Sequence, residues 1–459
     1  MVERLTRLDA SFLYLEEPGT PMHVGGVLIL EPPPGGVEAL AALIEARLPL
    51  VPRYRQRVAE VPGHVANPVW VDDPEFDITY HVRRSGLPRP GTEAQLMELV
   101  SRVTSRSLDR DHPLWEAHLV EGLADGRVAV ITKTHPALVD GLGAVDIGQV
   151  LLDVQPDAPA PEPTEWRPQP PPTGTQLFVQ ALDEYARRPS SVVDTVRGAV
   201  TDVRATAGRL SGVAGGLFRT ARSTLLSAPN SPLNVPVGRQ RRVTLARADL
   251  ADIKRIRRGG GGSINDVLLT VVTGALREWL LSRGQPVVAG TSVRALVPLS
   301  LQDSDGGGGN RVSSFLVDLP VGEPNPRVRL TRLSFAMGGI AQHGQSVGAD
   351  SLIALTGFAP PTLHAMGARA ARGLSRRLFN LVVTNVPGPQ VPLYAAGGQM
   401  LEVFPVVPLA RGQGLSIGMT SYDGRVYFGL NADLDSVGDV HVLADLIEQE
   451  VADLVEAAG

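Results

Sequence analysis

The chain has 459 residues, 43 Lys and Arg against 48 Asp and Glu, a formal charge of -5 and no cysteine. Its length exceeds one ordinary core and predicts two domains. The missing thiols exclude a cysteine nucleophile, a disulfide scaffold and a thiolate metal site, and an acidic balance without a sustained basic block argues against a nucleic-acid partner.

Met1-Val2-Glu3-Arg4 opens into a mixed polar segment and does not read as a signal peptide. No apolar run reaches the roughly eighteen residues of a membrane span, so the expected location is cytoplasmic. Residues 24–30 read as a strand ended by Pro32, Pro33 and Pro34, and 37–48 have helical apolar spacing. Residues 78–82 read as a strand and 93–107 as a helix. Next come 115–119 and 128–132, expected as paired strands, and 140–152, expected as a helix that begins in the loop after them. The proline-rich stretch 154–173 is a linker.

Residues 177–226 form a long Ala/Gly/Val/Ser stretch that reads as helices joining two domains; a surface helix touching lipid is the other reading. The prolines at 229, 232 and 236 mark a boundary near 228–238. Beyond it, 242–245 read as a strand and 250–257 as a helix. Gly259 to Gly262 break the chain, and Ser263 is placed to cap a helix over 264–281. Such a glycine cluster can cradle phosphate, but the Lys-Ser or Lys-Thr pair of a P-loop is missing, which favours a turn and cap. Residues 303–309 read as a glycine-rich surface loop. Helices are expected over 328–340, 351–374 and 437–455, and strands over 382–385, 415–420 and 426–430. Alternating strands and helices predict an α/β class.

The stretch that carries chemistry is Lys133-Thr134-His135-Pro136-Ala137-Leu138-Val139-Asp140-Gly141. A histidine ending a buried strand can act as a general base, and a glycine lets a substrate approach the backbone. His135 is equally readable as a structural core residue. Neither HExxH nor Gly-x-Ser-x-Gly occurs, which speaks against a zinc site and a serine hydrolase.

In register from its Asp-Gly pair, this stretch resembles the HHxxxDG motif of the bacterial wax ester synthase/diacylglycerol acyltransferase (WS/DGAT) family. Asp140 and Gly141 match, and His135 falls on the first histidine. The second, which the family uses as general base, falls on Pro136, which has no ionisable side chain and no N–H. The resemblance extends from Leu8-Asp9-Ala10-Ser11-Phe12 and Pro21-Met22-His23-Val24-Gly25-Gly26, through Asp77-Ile78 and His81-Val82-Arg83-Arg84, to Pro113-Leu114-Trp115-Glu116. It continues over Gly262-Ser263-Ile264-Asn265-Asp266-Val267, Arg294 to Ser300, Gly309-Asn310, Asn385-Val386-Pro387-Gly388-Pro389, Ser421-Tyr422-Asp423-Gly424 and Phe428-Gly429-Leu430.

The resemblance implies a two-domain CoA-dependent acyltransferase fold, like chloramphenicol acetyltransferase and condensation domains, with mixed sheets flanked by helices. The expected division is 1–173, a helical crossover 174–238, and 239–459. The implied activity is transfer of a long-chain acyl group from acyl-CoA to diacylglycerol or a long-chain alcohol, without a cofactor and without a metal. Peripheral membrane or lipid-droplet contact is part of that expectation. A degenerate member that binds acyl-CoA or lipid, and an enzyme with an altered acceptor and mechanism, are the alternatives. His135 is then a displaced base or a structural residue, and Pro136 occupies the base position. Asp140 is a structural carboxylate whose expected partner is Arg294, because a buried charge needs one. Gly141 permits close backbone approach. Asn265 and Asn385 are donors to a developing oxyanion, or cap and turn residues.

Overall fold

The computed structural model describes residues 2–17, 19–138, 147–159, 166–187, 228–301, 311–343 and 378–458. Its first half runs β1 Glu3–Arg4, α1 Arg7–Leu15, β2 Val24–Leu30, α2 Gly36–Arg47, β3 Gln56–Ala59, β4 Val69–Asp72, α3 Ile78–His81, β5 Val82–Gly86, α4 Glu93–Thr104, β6 Trp115–Glu121, β7 Val128–Thr134, α5 Ile147–Val150 and α6 Gly174–Arg187. The second half runs β8 Arg241–Asp249, α7 Leu250–Gly260, α8 Ile264–Ser282, β9 Val293–Leu301, β10 Arg311–Leu319, α9 Pro326–His343, β11 Leu381–Pro387, β12 Tyr394–Ala395, β13 Gly398–Val406, β14 Leu415–Tyr422, β15 Arg425–Asp433 and α10 Val440–Ala458.

Two six-stranded mixed sheets result, ordered β12-β13-β2-β7-β6-β5 and β10-β9-β11-β14-β15-β8, with a small sheet β1-β4-β3 beside them. The expected pairing of 115–119 with 128–132 is present as the antiparallel β6–β7 ladder, in which Glu116 faces Lys133. All seven residues of β7 are buried, as expected of a strand covered on both faces. Where a strand was expected over 78–82, the chain makes one helical turn and only then extends. The cause is Asp77, whose carboxylate accepts the Thr79 N–H at 2.8 Å and the Thr79 hydroxyl at 2.7 Å and so caps that turn. Of the helix expected over 140–152 only Ile147–Val150 is described as helical, Leu151 and Leu152 already leaving it, and 140–146 lie outside the described residues. The helix expected over 177–226 is described only within α6, and 188–227 and 351–374 lie outside the described residues.

Each sheet has its own apolar core. The halves are joined by a crossover, since β12 and β13 leave the second half of the chain to complete the first sheet, β13 pairing with β2. The division 1–173 and 239–459 leaves this exchange out. At the crossing, Gly429 of β15 lies against the Pro405 carbonyl, where an added Cβ would come within 1.9 Å of the oxygen. Only a residue without a side chain permits that approach. Arg247 of β8 fixes the same joint, binding Glu402 of β13 at 2.7 Å and Glu93 of α4 at 2.6 Å. Among the described residues no helix is long and apolar enough to cross a membrane.

Candidate active site

Strand β7 delivers His135 and Pro136 into a short 3₁₀ turn, Pro136–Leu138. The His135 backbone N–H donates to the Leu114 carbonyl at 2.9 Å, and its carbonyl accepts from the Leu138 N–H at 2.9 Å. The ring is locked as well: the Ala137 N–H donates to His135 Nδ1 at 3.1 Å. With Nδ1 occupied as an acceptor, the neutral ring carries its proton on Nε2. That nitrogen is therefore a donor, and it has no partner among the described residues. The residue is fully buried. Burial, with the Arg110 cation adding to it, pushes the imidazole down to about 3. At neutral pH such a ring is a weak base whose buried Nε2 carries an N–H. Pro136 beside it is half-buried and offers neither donor nor acceptor on its ring.

A second polar group sits under the same strand end. Lys133 is buried, with Nζ 3.8 Å from Glu116 Oε2. Burial lowers its ammonium to about 8, against the opposing pull of Glu116. Burial raises the Glu116 carboxyl, but the hydrogen bond from His118 at 3.1 Å and the Lys133 charge outweigh it, and the carboxyl stays below its usual range. His23 is held well below its ordinary value by burial and then by Lys133, His135 and Arg241. The sequence reading gives neither His23 nor Lys133 a role of its own. The available signal was a lysine interrupting an otherwise apolar and β-branched strand.

Three buried histidines thus stay neutral: His23, His135 and His81. The last is stacked between Phe76 and Trp115, and burial lowers it to about 4. Because the unfolded chain protonates them near 6.5, it binds more protons than the folded chain below that pH. Their contribution is complete above pH 6.5 and is lost as the pH falls toward 4 and 3. The urea midpoint is expected to decline steadily from pH 6.5 to 4; a midpoint constant over that range would contradict the assignment.

In the second domain, Ser263 and Asp266 form the capping box of α8, with backbone N–H to side-chain distances of 3.1 and 2.8 Å. Asn265 follows in the first turn. The structure brings it to Asn385 of β11, whose amide Nδ2 donates to Asn265 Oδ1 at 3.3 Å. This contact fixes which way the Asn265 amide faces and leaves its Nδ2 without a partner among the described residues. After Asn385, Gly388 lies against the Ser421–Gly424 hairpin, and Gln390 ties the two by accepting from the Gly424 N–H at 3.0 Å and donating to Ser421 Oγ at 3.1 Å.

Arg294 of β9 forms a two-pronged ion pair with Asp318 of the adjacent strand, at 2.7 and 3.1 Å. Asp140, its expected partner, and Gly141 lie outside the described residues. Among the described residues no group of three His, Cys, Asp or Glu side chains could hold a metal ion.

Two mixed sheets exchanging strands across a joint are an architecture shared with solved condensation domains and with a WS/DGAT structure. The starter condensation domain of rhizomide synthetase superposes with a TM-score of 0.55 at 13% identity, covering all of this chain and 94% of that one, a likeness of fold alone. The WS/DGAT protein of Marinobacter aquaeolei VT8 superposes with a TM-score of 0.69 at 27% identity, covering 99% of this chain and 100% of that chain. Two proteins of Mycobacterium tuberculosis, provisionally named diacylglycerol O-acyltransferases, share 33% identity over 100% of this chain and 91% of theirs, and 34% over 98% of each. The WS/DGAT catalytic domain matches residues 5–268 and the WS/DGAT C-terminal domain residues 308–454. The chain belongs to the WS/DGAT family.

Proposed function

We propose that the protein is an acyl-CoA-dependent O-acyltransferase that moves a long-chain acyl group to diacylglycerol or a long-chain alcohol. The acceptor oxygen attacks the thioester carbonyl, the C–S bond breaks, and coenzyme A leaves as the thiol with the acceptor's proton. Acyl-CoA is a substrate here and no cofactor is required. The observation that carries the reading is the buried amide Nδ2 of Asn265, oriented by Asn385, without a partner among the described residues and placed to donate to the oxygen that becomes negative at the attacked carbon. In this reading Asp140 is a structural carboxylate served by Arg294, and Gly141 lets the substrate pass close to the backbone. The protein works in the cytoplasm, peripherally at a lipid surface, where such acceptors reside.

A second reading has a specific observation behind it. Pro136 and the locked, neutral His135 leave the catalytic loop without a side-chain base among its described residues, which favours a member that binds acyl-CoA or lipid without turning it over. Thiol release from palmitoyl-CoA with diolein or hexadecanol separates the two. Under the first reading Asn265→Ala slows release by about 10²- to 10³-fold, the usual effect of removing one oxyanion donor. An unchanged rate in that variant removes Asn265 from the mechanism. Binding of palmitoyl-CoA with no release from either acceptor selects the second reading.

A further inference from the structure

The turn that leads into Asn265 carries an unused concentration of positive charge. Helix α7 buries Leu250, Ile253 and Ile256 and exposes Lys254, Arg255, Arg257 and Arg258. Neighbouring ion pairs engage Arg277, Arg329, Arg332 and Arg425, and among the described residues none of the four α7 cations has a carboxylate partner. The chain as a whole is acidic, so this face stands against the overall balance. Gly261 and Gly262, both in the left-handed region at φ +79° and +78°, then turn the chain into the Ser263 cap and Asn265.

Helix α9 lies against this turn. An added Cβ at Gly260 would sit 2.4 Å from Leu330, and one at Gly262 would sit 2.2 Å from Ser334 Oγ. Spaced four residues apart on its outward side are Arg327, Thr331 and Phe335, one stripe of the helix surface. Phe335 is 85% exposed. Guanidinium groups bind phosphate through paired, charge-assisted N–H donors, and an exposed aromatic ring offers a stacking surface to a purine.

We propose that Lys254, Arg255, Arg257 and Arg258, with Phe335 beside them, form the docking surface for the phosphorylated adenosine end of acyl-CoA. The cations take its phosphates and the ring takes its base, leaving the thioester arm to run toward Asn265. This rests on the acyl-CoA reading above. A bilayer rich in anionic headgroups shares the phosphate chemistry, but here the exposed apolar element is one ring beside a turn that leads to the candidate site.

The test is calorimetric titration of the full chain with adenosine 3′,5′-bisphosphate at low salt, where exposed charges are least screened. The double variant R257A/R258A is expected to bind at least about ten-fold more weakly than wild type, with Phe335→Ala weakening it further. Equal affinity in wild type and double variant, or no binding by wild type, overturns the proposal. So does a double variant that keeps its nucleotide affinity but no longer sediments with phosphatidylglycerol vesicles, which would assign the face to a membrane. All these side chains are exposed, and an unchanged far-UV circular dichroism spectrum confirms that each variant is folded. Because the readout is binding, an absence of thiol release would refute the transferase reading and leave this result standing.

Discussion

Pro136→His is expected to raise thiol release from palmitoyl-CoA, with diolein or hexadecanol as acceptor, by roughly 10²- to 10⁴-fold. That is the usual contribution of a positioned general base. The backbone tolerates the change. Pro136 begins a 3₁₀ turn whose hydrogen bonds run from Leu138 and Ala137 to His135, so none passes through residue 136. The new N–H falls at the first position of the turn, where a donor has no required partner. His135 cannot already supply this function, because its Nδ1 is engaged by a backbone N–H and its Nε2 carries the proton. Whatever turnover wild type shows then comes from positioning and from the amide donors. A Pro136→His variant no faster than wild type would mean that the proton leaves by another route.

The largest stability effect is expected from Glu450→Ala, at about 3–5 kcal/mol, the range for stranding one member of a buried ion pair. Glu450 of α10 is paired with Arg329 of α9, and both are buried. Arg329 also donates to the carbonyls of Glu323 and Pro324 at 3.0 and 3.2 Å, which holds it in place. The carboxylate rests on α8 at Gly274, where an added Cβ would meet its carbon at 2.1 Å. Three helices of the second domain therefore meet at one charge pair. Urea unfolding of Glu450→Ala and of the double variant E450A/R329M reads the effect. The double variant should recover most of the loss, since neither charge is left alone. A single variant as stable as wild type would show that water reaches the guanidinium.

Sequence patterning found the elements whose apolar period is clean. Residues 24–30 match β2 end for end, and Ser263 caps α8 as its side-chain chemistry requires. It did not find β9 and β10, although they are chain neighbours that pair antiparallel, nor β13, whose partner β2 lies in the distant first half of the chain. Nor did it find the helical turn at Ile78–His81, where a local cap at Asp77 overrides β-branched propensity. For the site, the motif register alone singles out Pro136, as the residue expected at the base position. What the sequence left open was the state of His135, which depends on a single backbone N–H and on complete burial. The Asn265–Asn385 contact was equally out of reach, because 120 residues separate the partners.

In the proposed reaction no working imidazole base among the described residues stands beside the acceptor hydroxyl. The pH dependence of kcat/KM for wild-type thiol release tests this most directly. No inflection is expected between pH 5.5 and 7.5, whereas Pro136→His should acquire one there. A wild-type profile with an ionisation near 6.5 that disappears in His135→Gln would contradict the account.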